Sequence, residues 1–164
     1  MFFPKDVRVS ANVEIAASPE LVFSYMTNPE HIRRWQPDVT ASLPPPEGGL
    51  RVGTRFRTSV KEYGRRFDVE LLVTAIEMNE HVAYDMESPV ASVQSEFRLV
   101  PRGNNTRVEH TAVVKPRAFG RVLLPFVRGF LERKLQSRLI LLREAVESAP
   151  EARTLSPFAR AAPL

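Results

Sequence analysis

Residues 7–23 read Val7-Arg8-Val9-Ser10-Ala11-Asn12-Val13-Glu14-Ile15-Ala16-Ala17-Ser18-Pro19-Glu20-Leu21-Val22-Phe23, and two periodicities meet inside this stretch. From Val7 to Ile15 apolar and polar residues alternate, with Val7, Val9, Ala11, Val13 and Ile15 on one side. Period two over this length predicts a strand with one buried and one wet face. Ser18 then stands where a helix cap is needed, Pro19 fits a first helical turn, and Glu20 meets the positive end of the helix. That helix carries Leu21, Val22, Phe23, Tyr25 and Met26. Asn28-Pro29 interrupts it and opens a second one through His31, Ile32 and Trp35, which Pro37 stops.

Working outward, residues 44–49 (Pro-Pro-Pro-Glu-Gly-Gly) predict a loop. Alternation then returns repeatedly. Thr54 to Tyr63 and Arg65 to Glu77 flank Gly64 as the arms of a hairpin, with Phe56, Thr58 and Val60 on one side of the first arm. Phe67, Val69, Leu71, Val73 and Ala75 share a side of the second. Val82-Tyr84-Met86 predicts a shorter strand, and Val93–Leu99 and Val108–Val114 two more, joined by the turn residues 101–105. With a short piece around Val39–Leu43 the count is about seven strands, and short connections make the sheet antiparallel.

From about Ala118 to Ser148 the period changes. Val127, Leu131, Leu135, Leu139, Leu142 and Val146 form one helical stripe, with Pro125 and Gly129 expected to weaken or kink its start. One sheet and one long amphipathic helix have only each other to cover, so the helix is expected across the inner face of a curved sheet. The fold class is therefore α+β: a curved antiparallel sheet wrapped around a long C-terminal helix, with two short helices after the first strand. The domain is read as residues 6–148, and 149–164, rich in Pro, Ala and Arg, as a disordered tail.

The 164 residues suit one domain large enough to enclose a chamber, and the 43% apolar and 26% charged shares are those of a globular protein. The absence of cysteine excludes disulfides, thiol catalysis and cysteine-ligated metals. No spanning helix or secretory signal is legible, which points to the cytoplasm. The net charge of +4 rests on four lysines and 19 arginines spread along the whole chain, a distribution that gives no reason to expect a nucleic-acid partner. The three histidines form no His-Glu-x-x-His pattern, and neither a phosphate-binding glycine loop nor Gly-x-Ser-x-Gly occurs. No metal or other cofactor is expected.

The order of elements resembles the START-related, helix-grip (SRPBCC) superfamily, and within it the polyketide cyclase/dehydrase-like branch. Val13–Phe23 is similar to the family's opening strand and Pro-Glu-x-Val-Phe-type helix. His31-Ile32-Arg33-Arg34-Trp35-Gln36-Pro37 resembles its tryptophan-bearing second helix, and Gly120–Pro125 the entry to its closing helix. The resemblance implies a largely apolar cavity between sheet and C-terminal helix, holding a lipid, a polyketide or another aromatic or isoprenoid-like ligand. It leaves two alternatives open: a cyclase- or dehydratase-like enzyme, and a lipid- or quinone-handling protein at a membrane surface. Monomer and homodimer are equally compatible with it.

Polar residues on inward faces are the candidates for chemistry. His110, between Val108 and Ala112, can move a proton or orient a ligand carbonyl, or else be a core histidine held by one hydrogen bond. Tyr84 can donate to an oxygenated ligand or simply fill core. Thr58 and Ser95 are weaker versions of the same case. Trp35 can line the entrance or pack its helix onto the sheet. Phe126 and Phe130, near Pro125 and Gly129, can gate the cavity or belong to the core. Met86, Phe97 and Leu131 complete the expected lining. Glu70, Glu96 and Glu109 fall on the wet face, which removes a paired-carboxylate mechanism. The basic residues of the last helix, Lys134 and Arg138 among them, are read as a solvated outer face, with peripheral contact to an anionic membrane as the functional option.

Overall fold

In the computed structural model, which describes residues 6–42, 49–62, 64–117 and 124–155, the alternating segments form strands with little change in their bounds. Strand β1 is Val7–Ile15, followed by helices α1 (Pro19–Thr27) and α2 (Pro29–Trp35) and strand β2 (Val39–Ser42). Five strands come next: β3 (Arg55–Glu62), β4 (Arg65–Glu77), β5 (His81–Glu87), β6 (Ala91–Arg102) and β7 (Asn105–Pro116). The chain closes with helices α3 (Leu124–Glu147) and α4 (Pro150–Leu155). All seven strands pair antiparallel in the order β1-β7-β6-β5-β4-β3-β2, a curled half-barrel. Gly64 and Gly103 take positive φ (74° and 59°) at the two tight hairpin turns, a conformation that costs glycine least. None of the described helices is long and apolar enough to cross a membrane.

The caps obey the local chemistry. Ser18 Oγ accepts from the Leu21 amide at 3.3 Å, and Asn28 Oδ1 accepts from the Glu30 amide at 3.0 Å. Each leaves a proline at the start of its helix, where no amide hydrogen is required. Ser18→Ala is expected to cost about 1 kcal/mol, read by urea unfolding.

Three features depart from the sequence reading. Pairing shifts between Val73 and Ala75, so that Val73 faces Tyr84 while Ile76 faces Val82. This bulge re-aims the end of β4: Ile76, rather than Ala75, packs against the core. The expected weakening does not interrupt the last helix, since α3 runs as one element with Pro125 in its first turn, where the missing amide breaks no intrahelical bond. The expected helical residues 118–123 lie outside the described residues. Lastly, the segment read as a disordered tail begins with α4, and Ala149 and Ala152 are buried.

The core gathers at one end. Ile15, Val22, Val82, Val108, Leu139, Leu142 and Val146 are fully buried there, each burial stabilising by about 1.5–3 kcal/mol. Of the helical stripe, Leu135, Leu139, Leu142 and Val146 seal this end, while Val127 and Leu131 remain half-buried. Among the strands, α3 runs closest to β1, and its other flank meets α1 and α2. Leu135, Leu139, Leu142 and Val146 share one core with Val82, Phe97, Leu99 and Val108, so the helix covers the inner face of the curled sheet as the sequence predicts.

Candidate functional site

Residues directly opposite one another in a ladder share a face, so the registers give the inner surface as rows across the sheet. One row is Ala11–His110–Phe97–Val82–Ile76 and the next is Val9–Ala112–Ser95–Tyr84–Val73. A third is Val7–Val114–Val93–Met86–Leu71–Phe56. Most of the first two rows is buried. In the third only Val7, on the strand nearest α3, is buried; Val114, Val93, Met86, Leu71 and Phe56 are all half-buried although they point inward. Leu131 and Val127 on α3 show the same half-covered state. The inner face is thus mostly buried at one end and only half-covered at the other.

The polar side chains lie on the border between these halves. His110 is 6% exposed, and its Nε2 sits 2.7 Å from Ser95 Oγ in a buried hydrogen bond. Its ring stacks on Phe97, centroids 3.9 Å apart and 16° from parallel. Its Nδ1 is buried with no hydrogen-bond partner, so one imidazole nitrogen is satisfied and the other is not. Burial, and then the charge of Arg138, push the imidazole down to about 3, which leaves it neutral at pH 7. Tyr84 stands opposite Ser95, its ring edge-on to Phe56 at 6.3 Å between centroids. Burial pushes its phenol up, so it stays protonated and can donate a hydrogen bond.

The other expected site residues separate into near and far. Met86 and Leu131 are half-buried, whereas Phe97 is buried in the His110 row, two rows from Met86. Thr58 is buried on β3 opposite Val69, one row beyond Phe56 and away from the Ser95–His110 pair. Trp35, 2% exposed, donates from Nε1 to the Tyr25 carbonyl at 3.0 Å and meets Phe97 edge-on at 6.4 Å. These contacts pin α2 to α1 and to the sheet. Phe130 is 42% exposed. The Phe126 side chain lies outside the described residues. Glu70, Glu96 and Glu109 keep to the outer face, beside Arg55, Arg98 and Arg107 respectively.

The residues that sequence reasoning missed are charged. Pattern alone puts Arg138 on a solvated face, but its side chain is 27% exposed and is ion-paired with Asp38, itself 21% exposed, in the turn before β2. Lys134, one turn earlier, is half-buried. Both leave α3 on the shoulder of the leucine stripe, where long aliphatic stems can cover apolar surface before the charge emerges. The only signal available in the sequence is their i+3 spacing from Leu131 and Leu135, and composition alone hides it.

This geometry has counterparts among solved structures. A START superfamily protein from Mycobacterium smegmatis shares 22% identity and superimposes with a TM-score of 0.72, over 86% of this chain and 97% of that one. CalU16 from Micromonospora echinospora (18% identity, TM-score 0.61) matches over 93% of this chain and 82% of its own. The Aha1 dimer from Colwellia psychrerythraea (19% identity, TM-score 0.63) matches over 88% and 98%. At such identities the likeness establishes the fold. No curated protein sequence matches the chain. The family model described as polyketide cyclase/dehydrase and lipid transport, however, matches residues 6–147, nearly the whole of the folded chain. With its curled sheet, its C-terminal helix and its half-covered inner face, the chain belongs to that polyketide cyclase/dehydrase and lipid transport family.

Proposed function

We propose that the protein binds a hydrophobic small molecule (a lipid, a polyketide or another aromatic or isoprenoid-like compound) in a hollow between β4–β7 and the first half of α3. One observation carries this reading: Phe56, Leu71, Met86, Val93 and Val114 face inward yet keep accessible surface, while most of the two rows beside them is buried. Apolar surface left partly wet inside a fold is a binding surface in waiting, because covering it returns about 25 cal/mol per Å². Ser95, Tyr84 and His110 supply the few polar groups that orient a ligand in a mostly apolar site.

Proton transfer of the cyclase or dehydratase kind draws less support from the same residues. An imidazole held near 3 is too weak a base for pH 7, where a general base works best with a pKa near the operating pH. Titration with a neutral naphthylamine dye tests the binding reading. Saturable one-to-one binding, with energy transfer from Trp35, the only tryptophan, is the expected result. A purely linear, non-saturating signal contradicts it.

A further inference from the structure

Resting in part on that reading, we infer that the tip of the β3–β4 hairpin is a docking surface for an anionic lipid bilayer, from which the hollow takes its ligand. The hairpin reaches beyond the rest of the sheet. The β4–β5 ladder begins only at Glu70 opposite Glu87, so among the described strands Arg65–Val69 pair with β3 alone. This overhang lies at the half-covered end of the inner face, and the row of Leu71 and Phe56 is the next one along.

The two faces of the overhang differ in chemistry. Alternation from Leu71 turns Val69 and Phe67 inward, opposite Thr58 and Val60, and Val60, Phe67 and Val69 are all half-buried. Lys61 and Arg66 take the outer face directly opposite each other, and Arg65 follows Gly64 at the turn; all three are exposed. Like charges directly opposite in a ladder are destabilising, so this pair works against the hairpin that carries it. The acids nearby are engaged elsewhere. Glu70 pairs with Arg55 at 3.3 Å, and Asp68 accepts from Ser59 Oγ at 2.8 Å. Asp38, whose carbonyl accepts the Lys61 amide, gives its carboxylate to Arg138. Glu62 stands opposite Arg65 in the register, the one acid against three cations over residues 61–67. No ion pair among the described residues engages Lys61, Arg65 or Arg66. An anionic bilayer answers both faces: its phosphates meet the cations, and its interfacial zone takes Val60, Phe67 and Val69. A nucleic-acid backbone answers the charge and leaves the apolar face in water.

The test is cosedimentation with vesicles of phosphatidylcholine alone and of equimolar phosphatidylcholine and phosphatidylglycerol. The protein is expected to pellet with the anionic vesicles only, and to be released as salt rises from about 0.1 M to about 0.5 M. Replacing both Lys61→Ser and Arg66→Ser is expected to weaken that binding about tenfold or more, the share of two cations near a charged surface. Its thermal midpoint is expected to equal or exceed that of the wild type, because the like-charge pair is gone. Replacing both Arg8→Ser and Arg102→Ser, which removes two exposed cations from other strands, is expected to weaken binding by about twofold or less. Absence of binding to anionic vesicles, equal losses in the two double variants, or binding of a mixed-sequence RNA in place of vesicles overturns the docking surface, while saturable dye binding leaves the hollow standing. Dye that fails to saturate, with vesicle binding intact, overturns the hollow alone.

Discussion

Tryptophan in place of Val93 is expected to reduce dye binding by at least thirtyfold while leaving the protein folded. Val93 lies between Met86 and Val114 in the row of inward-facing residues that remain half-buried. An indole there occupies space that the binding reading assigns to ligand, so it meets little resistance from neighbours. The thermal midpoint is expected to move by about 3 °C or less, the equivalent of about 1 kcal/mol for a domain of this size. Val108→Trp makes the same change in volume at a fully buried position on the neighbouring strand. Overpacking a sealed site costs about 1–3 kcal/mol even for added methylenes, and an indole exceeds that, so this variant is expected to unfold or to melt far lower. If Val93→Trp binds dye like the wild type, or melts as low as Val108→Trp, the contrast between the two ends of the sheet is wrong.

Acid is expected to expose the second large effect, through His110. The folded protein keeps this imidazole neutral down to about 3, whereas in the unfolded chain it takes up a proton near the ordinary value of about 6.5. The unfolded state therefore binds more protons between those values, and stability falls as the pH drops from 6.5 toward 3. At pH 4.5 the part due to His110 alone is about 2–3 kcal/mol. His110→Phe keeps an aromatic ring against Phe97 but cannot protonate. Its stability is expected to fall less between pH 7 and pH 4.5 by that amount, since the other titrating groups are common to both proteins. Urea unfolding at the two pH values measures the difference, and identical losses in both proteins would show that His110 is not held neutral by the fold.

Legibility in the sequence differs between fold and site. Alternation in Val7–Ile15, the Ser18-Pro19 cap, the Gly64 hairpin and the Leu135–Val146 stripe each report a local rule that the tertiary structure obeys. The bulge at Val73–Ala75 is not legible, because an extra residue in a ladder turns the later residues to the other face without changing composition. Within the site, period two alone gives the inward direction of Tyr84, Ser95 and His110, and the registers place Tyr84 opposite Ser95, which is bonded to His110. For Trp35, which packs against Phe97, and Phe130, which is exposed, the sequence leaves both readings open because a short helix and a helix start offer no strict periodicity to read. Lys134 and Arg138 are hidden by their charge. Whether a cation on a helix shoulder meets water or Asp38 depends on where a turn 100 residues earlier comes to rest.

The hollow itself is tested most directly by a crystal pressurised with xenon, which enters apolar cavities without needing a polar partner. Anomalous xenon peaks bounded by Leu71, Met86, Val93, Val114 and Leu131 are the predicted result. A map with no xenon there, and with side chains from α3 interlocked against those residues, would contradict the existence of a binding hollow.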